Sequence, residues 1–236
     1  MRVNDPELVR EQYASEENLR ARQRLWTNVE GENARVVLRR ILSELAPQTV
    51  LEVGGGQGEL AEWMHVELGA AVTFLDQSER MVELARARGI VDAQVGDVQQ
   101  LPFEDERFDT VVAAWMLYHV RDIDRGLAEI ARVLQSGGTL VAVTNSVRHL
   151  EELRTIFETL MRGYENRFNS ENGDATLRRH FTNVESTEAN VVAIVDERDV
   201  LEGYRRSLLY ETQPIPDDLE LPFQVHGRTT IFVATK

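Results

Sequence analysis

The chain has 236 residues, 42% of them apolar, enough to bury one substantial core, so a single domain with embellishments is expected. Forty acidic against 26 basic residues give a net charge of −14, a surface that repels polyanions and counts against a nucleic-acid partner. The absence of cysteine excludes disulfides, thiolate zinc sites and a cysteine nucleophile. No apolar stretch reaches the ~18 residues of a membrane span, and the N-terminus M-R-V-N-D-P-E has no signal-peptide core. A soluble, cytoplasmic protein with no membrane partner is the expectation. Nearly all the basic residues are arginine, Lys236 being the lone lysine.

Residues 4 to 30 read as one or two helices: Asp5-Pro6 is a helix start, and Ser15 opens a second helix carrying Leu19, Leu25 and Trp26. Arg20, Arg22 and Arg24 are the nearest approach to a basic patch. Arg20 and Arg24, at i and i+4, are more simply a solvated helix face. From Asn33 to Leu45 runs a clearer amphipathic helix, with Val37, Ile41 and Leu45 on one side and Ala46-Pro47 ending it.

Val50 to Leu60, V-L-E-V-G-G-G-Q-G-E-L, is the most informative segment. A short apolar run carries an acid, Glu52, and is followed by Gly54, Gly55, Gly56 and Gly58, then by a helical stretch. Glycines at this spacing let a backbone turn sharply and approach a ligand, and the following helix aims unpaired N–H groups at the same place. The dinucleotide fingerprint G-x-G-x-x-G is not met: its third position falls on Glu59 or, more loosely, on Ala61. An acid at Glu52 suits a cationic group better than a pyrophosphate.

A second apolar run, Ala71 to Leu75, ends in Asp76, 24 residues after Glu52, where a ribose-binding carboxylate belongs after one β-α-β unit. Ser78 caps a helix through Arg88, and Gly89 stops it. Then follow A-Q-V-G-D-V (Ala93 to Val98), the strand Arg107 to Val112 with Asp109 in a structural role at its start, and R-V-L-Q-S-G-G-T-L-V-A-V, in which Gly137-Gly138 is a turn.

Taken in this order, the motifs resemble those of the class I S-adenosylmethionine-dependent methyltransferases, in particular the small-molecule branch typified by ubiquinone and menaquinone biosynthesis. The resemblance covers roughly 100 residues. It implies an α/β, Rossmann-like three-layer sandwich with a seven-stranded, mostly parallel sheet and an antiparallel last strand. It also implies an N-terminal helical lid and a cap after the fifth strand. The expected division is a lid over 1–46, a cofactor-binding core over 47–146, a cap insertion over 147–180, and C-terminal strands and helix over 181–236. The implied cofactor is S-adenosylmethionine, leaving as S-adenosylhomocysteine. The residues implied to hold it are Glu52, Gly54, Gly55, Gly56, Gly58, Asp76, Gln77, Met81, Asp97, Val98 and Ala114. Asp97 is placed near the adenine amino group, Val98 near its ring, and Ala113 to Leu117 beneath the methionine part.

After the fifth strand, His149 to Met161 reads as a helix with Leu150, Leu153, Ile156, Phe157, Leu160 and Met161 on one face. Gly163-Tyr164 ends it, and Glu165 to Asp174 is a flexible connection. Phe181 to Val195 holds one or two strands, interrupted near Thr187 to Asn190. Glu197 to Leu209 is the last helix, Thr212 to Leu221 a loop, and Phe223 to Ala234 a closing strand, antiparallel and beside the fifth.

Methyl transfer asks for alignment, exclusion of water and, for some acceptors, removal of a proton. His119, in Trp115-Met116-Leu117-Tyr118-His119, is the candidate base, with pocket lining and a structural role as the alternatives. His149 is an outside candidate. Tyr13, Trp26, Trp115, Tyr118, Asn145 and His149 are the candidate lid and acceptor-side residues, Trp26 being equally suited to core packing. His65 and His226 read as scaffold, His180 has no assigned role, and no spacing among the five histidines suggests a metal site. Glu62 and His65 read as a helix surface pair. The partner is then a small-molecule acceptor, with room left for a homodimer. An RNA-modifying methyltransferase and a non-catalytic cofactor-binding regulator are the alternatives.

Overall fold

The computed structural model describes residues 16–157, 168–208 and 212–236, and its apolar runs form one eight-stranded sheet. In chain order the strands are β1 (Val29–Gly31), β2 (Thr49–Val53), β3 (Ala71–Asp76), β4 (Asp92–Val95), β5 (Phe108–Ala114), β6 (Leu134–Asn145), β7 (Asn183–Val195) and β8 (Phe223–Thr235). Across the sheet they lie β1-β7-β8-β6-β5-β2-β3-β4. Strands β2 to β6 are mutually parallel, while β8, β7 and β1 form an antiparallel edge.

The helices are α1 (Glu16–Arg24), α2 (Ala34–Leu45), α3 (Glu59–Leu68), α4 (Glu79–Ala87), α5 (Ile123–Val133), α6 (Glu151–Ile156), α7 (Gly173–Leu177) and α8 (Arg198–Arg206). Asn33 caps α2 by accepting from the Arg35 N–H at 2.8 Å. A parallel sheet needs cover on both faces. Val37, Leu38 and Leu42 of α2 and Met64 of α3 pack on Val50, Val112, Val141 and Val143. On the other face, Leu127, Ile130 and Val133 of α5 pack on Leu51, Val53, Val111 and Ala113. The winding reverses between β2 and β5, and in such sheets the crevice outside the carboxyl ends at the reversal is where ligands bind.

β7 and β8 are long enough to leave the sheet. Asn145, the last residue of β6, pairs with Thr229, yet β7 and β8 continue pairing to Val195 and Phe223. This projecting ribbon carries a separate apolar cluster that includes Leu25, Leu153, Phe157, Ala193, Leu201 and Val225. The helix before the sheet, the helix after β6 and the last helix thus share one core above the carboxyl edge. Arg22 fastens α1 to α8 through Ser207 Oγ at 3.2 Å and Ser207 O at 2.7 Å.

Several expectations are corrected. The sheet has eight strands because Val29–Gly31, overlapping the end of the segment expected as helix, pairs with β7 along its outer edge. β7 is one continuous strand, since β8 supplies partners through Thr187 to Asn190. Only part of 147–180 is cap. Phe168 is fully buried on the sheet against the Phe232 ring at 5.9 Å, and its carbonyl accepts from Thr144 Oγ1 at 3.0 Å. From Phe168 to Asp174 the expected flexible connection is a hydrogen-bonded turn, with the Asn169 and Glu171 N–H groups held by Asn172 and Asn169 side chains. Glu62 pairs with Arg88 at 2.7 Å and not with His65. Leu160, Met161, Gly163, Tyr164 and Leu209 lie outside the described residues.

Truncating a buried phenylalanine costs about 3–5 kcal/mol. Phe168→Ala is therefore expected to lower the denaturant midpoint strongly. A surface-like loss under ~0.5 kcal/mol would detach this segment from the core.

Candidate functional site

The carboxyl edge of the sheet brings together residues from five neighbouring strands. At β2 the loop Gly54 to Gly58 leads into α3, and each glycine has its own steric reason. A Cβ on Gly54 would fall 2.8 Å from Met116 Cβ, and one on Gly58 would fall 2.9 Å from Ala85 Cβ in α4. One on Gly55 would meet the Glu52 carboxylate, 2.6 Å from Oε2. Gly56, with φ of +58°, is the loop glycine whose added Cβ would meet nothing within 4 Å. The open side of the loop is there, and it is where a ligand could touch backbone.

Asp76, ending β3, faces that opening. Its Oδ2 accepts from the Gly56 N–H at 3.3 Å and its Oδ1 from the Ser78 N–H at 2.8 Å. Burial raises its pKa above the usual aspartate value, against the pull of these backbone hydrogen bonds. Gln77 beside it is exposed, and Met81 of α4 is buried behind it. Asp97 follows β4, with both carboxylate oxygens receiving the Gln99 amide at 3.1 and 3.0 Å. Val98 is buried in the core beside Gly126.

Glu52 is only 1% exposed and lies beneath the loop, under Gly55, with Oε2 buried and without a partner. Burial pushes its carboxyl up to about 8, opposed by a hydrogen bond with the Ala61 backbone and helped by the Asp76 charge. Folded Glu52 therefore keeps its proton to a higher pH than in the unfolded chain, where it titrates near 4.5. Stability should fall as pH rises between these values and level off above them. Glu52→Gln is expected to flatten this part of the melting-temperature profile and to be the more stable protein at pH 8. A wild-type slope in the variant would show that Glu52 is not the source.

β5 ends at the half-buried Ala114, and Trp115 takes φ of +56°, a left-handed conformation rare for a large side chain. Its N–H donates to Val143 O at 2.9 Å and its indole Nε1 to Asn145 Oδ1 at 3.2 Å, while the Arg35 guanidinium lies 5.7 Å above the ring. A short 3-10 turn, Leu117–His119, follows, in which the Tyr118 and His119 rings lie 4.4 Å apart. His119 thus sits two strands from Asp76, on the β5 side of the crevice.

Trp26 packs on the apolar cluster of the projecting ribbon, with His149 against it. The Trp26 ring lies over Gly227, 2.7 Å from where a Cβ would stand, and 5.8 Å from the His149 ring. His149 Nδ1 lies against the Arg228 backbone, 3.0 Å from its N and 3.1 Å from its O, and burial lowers its pKa to about 4. It is a neutral packing wedge at physiological pH, which weakens it as a base. His226 bonds Glu152 at 2.5 Å, and His180 bonds Asp124 at 2.9 Å. Asp109 has the expected structural role, its Oδ2 receiving the Gln48 and Thr49 N–H groups. Tyr13 lies outside the described residues. Among the described residues no group of three or more His, Asp or Glu could hold a metal ion, and no helix is long and apolar enough to cross a membrane.

A cleft of about 420 Å³ also opens at the opposite edge, against Thr49, Ala71, Asp92 and Phe108 at the amino ends of the strands. Its one strong cation, Arg107, is paired with Asp92 at 3.2 Å. Thr229 and Arg35, which steady Asn145 and Trp115, were not foreseen from sequence, because nothing local marks them.

A glycine-loop crevice with an acid closing the second core strand is the arrangement expected of a nucleoside-binding α/β transferase. Residues 51–142 match the family described as Methyltransferase domain, so this segment is a class I S-adenosylmethionine-dependent methyltransferase core, distantly homologous to small-molecule methyltransferases. Methyltransferase GfsG of Streptomyces halstedii is 34% identical over 125 residues, 50% of this chain and 45% of that protein. The demethylmenaquinone methyltransferase of Renibacterium salmoninarum is 37% identical over 117 residues, covering 49% of each. The chain thus spans about half the length of the curated relatives it matches. A Haemonchus contortus phosphoethanolamine N-methyltransferase 2 structure, in complex with S-adenosyl-L-methionine, covers 98% of this chain and 59% of its own. At a TM-score of 0.63 and 19% identity it shows the same fold.

The residues present fit that cofactor. Gly56 offers a backbone cradle that a side chain would fill, Asp76 offers a carboxylate to paired hydroxyls, and a buried, partnerless acid lies below.

Proposed function

We propose that the protein transfers the methyl group of S-adenosylmethionine to an oxygen, nitrogen or carbon nucleophile of a small molecule. The observation that carries this reading is the open cradle at Gly56, flanked by the Asp76 carboxylate that is tied to it. When bound, the cofactor supplies a methyl group on a sulfonium, which is already a good leaving group. The chain's own work is then positioning and shielding. Asp76 holds the ribose hydroxyls and Gly56 lets backbone close on the ligand. Glu52 supports the loop from below, and its ionised form favours a cationic ligand above. Asp97 and Val98 border the adenine end, and Met116 packs against Gly54 at the methionine end. The cap, with its own core, excludes water above the β5 and β6 ends.

The RNA alternative depends on the arginines of α1, and two of those are engaged: Arg22 on Ser207, and Arg24 3.9 Å from Glu197. A small acceptor agrees better with the charge of −14.

Calorimetric titration with S-adenosylmethionine and S-adenosylhomocysteine is the test, followed by methyl-transfer assays over small-molecule acceptors. Micromolar binding of both with turnover of an acceptor is the expected result. Binding without turnover of any acceptor favours the regulatory alternative, and binding of neither removes the cofactor assignment. His119→Ala is expected to leave cofactor affinity within about twofold and to lower turnover at least tenfold only if the acceptor must lose a proton. Unchanged turnover would assign His119 to structure.

A further inference from the structure

The last residue of β6 carries an amide whose orientation is decided by its neighbours. Asn145 Oδ1 receives Trp115 Nε1 at 3.2 Å and Thr229 Oγ1 at 3.0 Å. An indole N–H can only donate, so the atom facing it must be the amide oxygen. Turning the amide over would set two donors face to face. Asn145 Nδ2 is therefore directed away from both partners. Among the described residues no group accepts from it, and it is not among the side-chain atoms that are both buried and without a partner, so it is open to solvent.

The groups that fix this amide are themselves fixed. Trp115 is held by its backbone bond to Val143, by the Arg35 guanidinium over its ring, and in a left-handed conformation that persists only where surroundings over-determine it. Thr229 stands in β8, in register with Asn145. An amide presented this rigidly loses little freedom when it binds a ligand.

Its position matches the acceptor side. Along the carboxyl edge the order is Asp76 on β3, the glycine loop on β2, Trp115 after β5, and Asn145 on β6. With strands about 4.8 Å apart, Asn145 stands three spacings, roughly 14 Å, from Asp76. That puts Asn145 on the β5–β6 side of the glycine loop, away from Asp76, on the side the methyltransferase reading leaves to the acceptor.

We propose that Asn145 Nδ2 is the acceptor-recognition donor, and that the acceptor presents a carbonyl or phenolic oxygen to it, close to the atom that is methylated. The Asp76 carboxylate in the crevice and the net charge of −14 select a neutral oxygen over phosphate. This deepens the methyltransferase reading and rests on it. A site built around a fixed donor also discriminates strongly against analogues lacking the oxygen, because the donor is then left unpaired.

Asn145→Asp is the discriminating variant. A carboxylate still accepts from Trp115 and Thr229, so the local structure keeps its bonds, while the donor is removed. The experiment is amide NMR on ¹⁵N-labelled protein saturated with S-adenosylhomocysteine, with the Asn145 side-chain signals identified by their loss in the variant. The probes are catechol and acetophenone, with toluene and inorganic phosphate as counter-probes.

The expected result is that catechol and acetophenone shift the Asn145 NH₂ signals and bind at least tenfold more weakly to Asn145→Asp. Toluene and phosphate should leave these signals in place, and S-adenosylhomocysteine affinity should be equal in the two proteins. With that affinity intact, equal binding of the oxygen-bearing probes to both proteins overturns the proposal. So does an unmoved Asn145 signal with both of those probes, or a response to phosphate alone. Failure of the wild-type protein to bind S-adenosylhomocysteine overturns the methyltransferase reading itself, and this proposal with it.

Discussion

Asp76→Ala is expected to lose at least 100-fold in affinity for S-adenosylhomocysteine while still folding. The carboxylate closes β3 at the mouth of the crevice, and in this reading it accepts from two ribose hydroxyls. Hydrogen bonds to a charged group contribute about 1.5–3 kcal/mol each, so losing two weakens binding by about 10² to 10⁴. The variant also releases the Gly56 and Ser78 N–H groups, so part of the loss comes through loop geometry. Asp76→Asn separates these contributions. It keeps one acceptor oxygen and should fall between wild type and alanine. Because burial raises the Asp76 pKa, wild-type affinity should also weaken as pH falls and the carboxylate takes up a proton. Calorimetry at several pH values measures both effects. Undiminished affinity in a folded alanine variant would remove Asp76 from the site.

Gly56→Val should abolish cofactor binding with a modest loss of stability, and the neighbouring glycines make the contrast. At Gly56 the protein offers no atom within 4 Å of the new Cβ, so the variant clashes with the ligand and not with the fold. What stability it loses comes from φ of +58°, a conformation costing an L-residue about 1–2 kcal/mol. At Gly58 the same substitution meets Ala85 Cβ at 2.9 Å and should damage α3–α4 packing instead. Thermal melts and calorimetry on the two variants should therefore separate: Gly56→Val folded but unable to bind, Gly58→Val unstable. Normal affinity in folded Gly56→Val would move the cofactor away from this loop.

The cofactor core was legible because its signals are local. Glu52, the glycines and the start of α3 lie within one strand-loop-helix unit, and Asp76 closes the next. The same is true of the helix over Asn33 to Leu45, whose cap and periodicity sit in one stretch of sequence. The Val29–Gly31 strand was illegible for the opposite reason: three residues carry no periodicity, and their strand state exists only through pairing with Val191 to Ala193. Thr187 to Asn190 looked like an interruption because Glu188 and Asn190 are poor strand formers alone, yet β8 supplies their backbone partners.

By itself, then, the sequence determined the class of fold, the order of the core strands along the chain, and the loop and acid on which the proposed cofactor site is built. These depend on glycine spacing, hydrophobic runs and residue types that act over a few positions. The tertiary structure alone decided that three distant segments build a single cap core, that Glu52 lies beneath the glycine loop, and that His149 is wedged neutral against Arg228. It also decided that Trp115 and Thr229 turn the Asn145 amide outward. Each of these depends on partners brought together by long-range strand pairing and burial, and desolvation and hydrogen-bond direction do not exist for a side chain until those partners are in place.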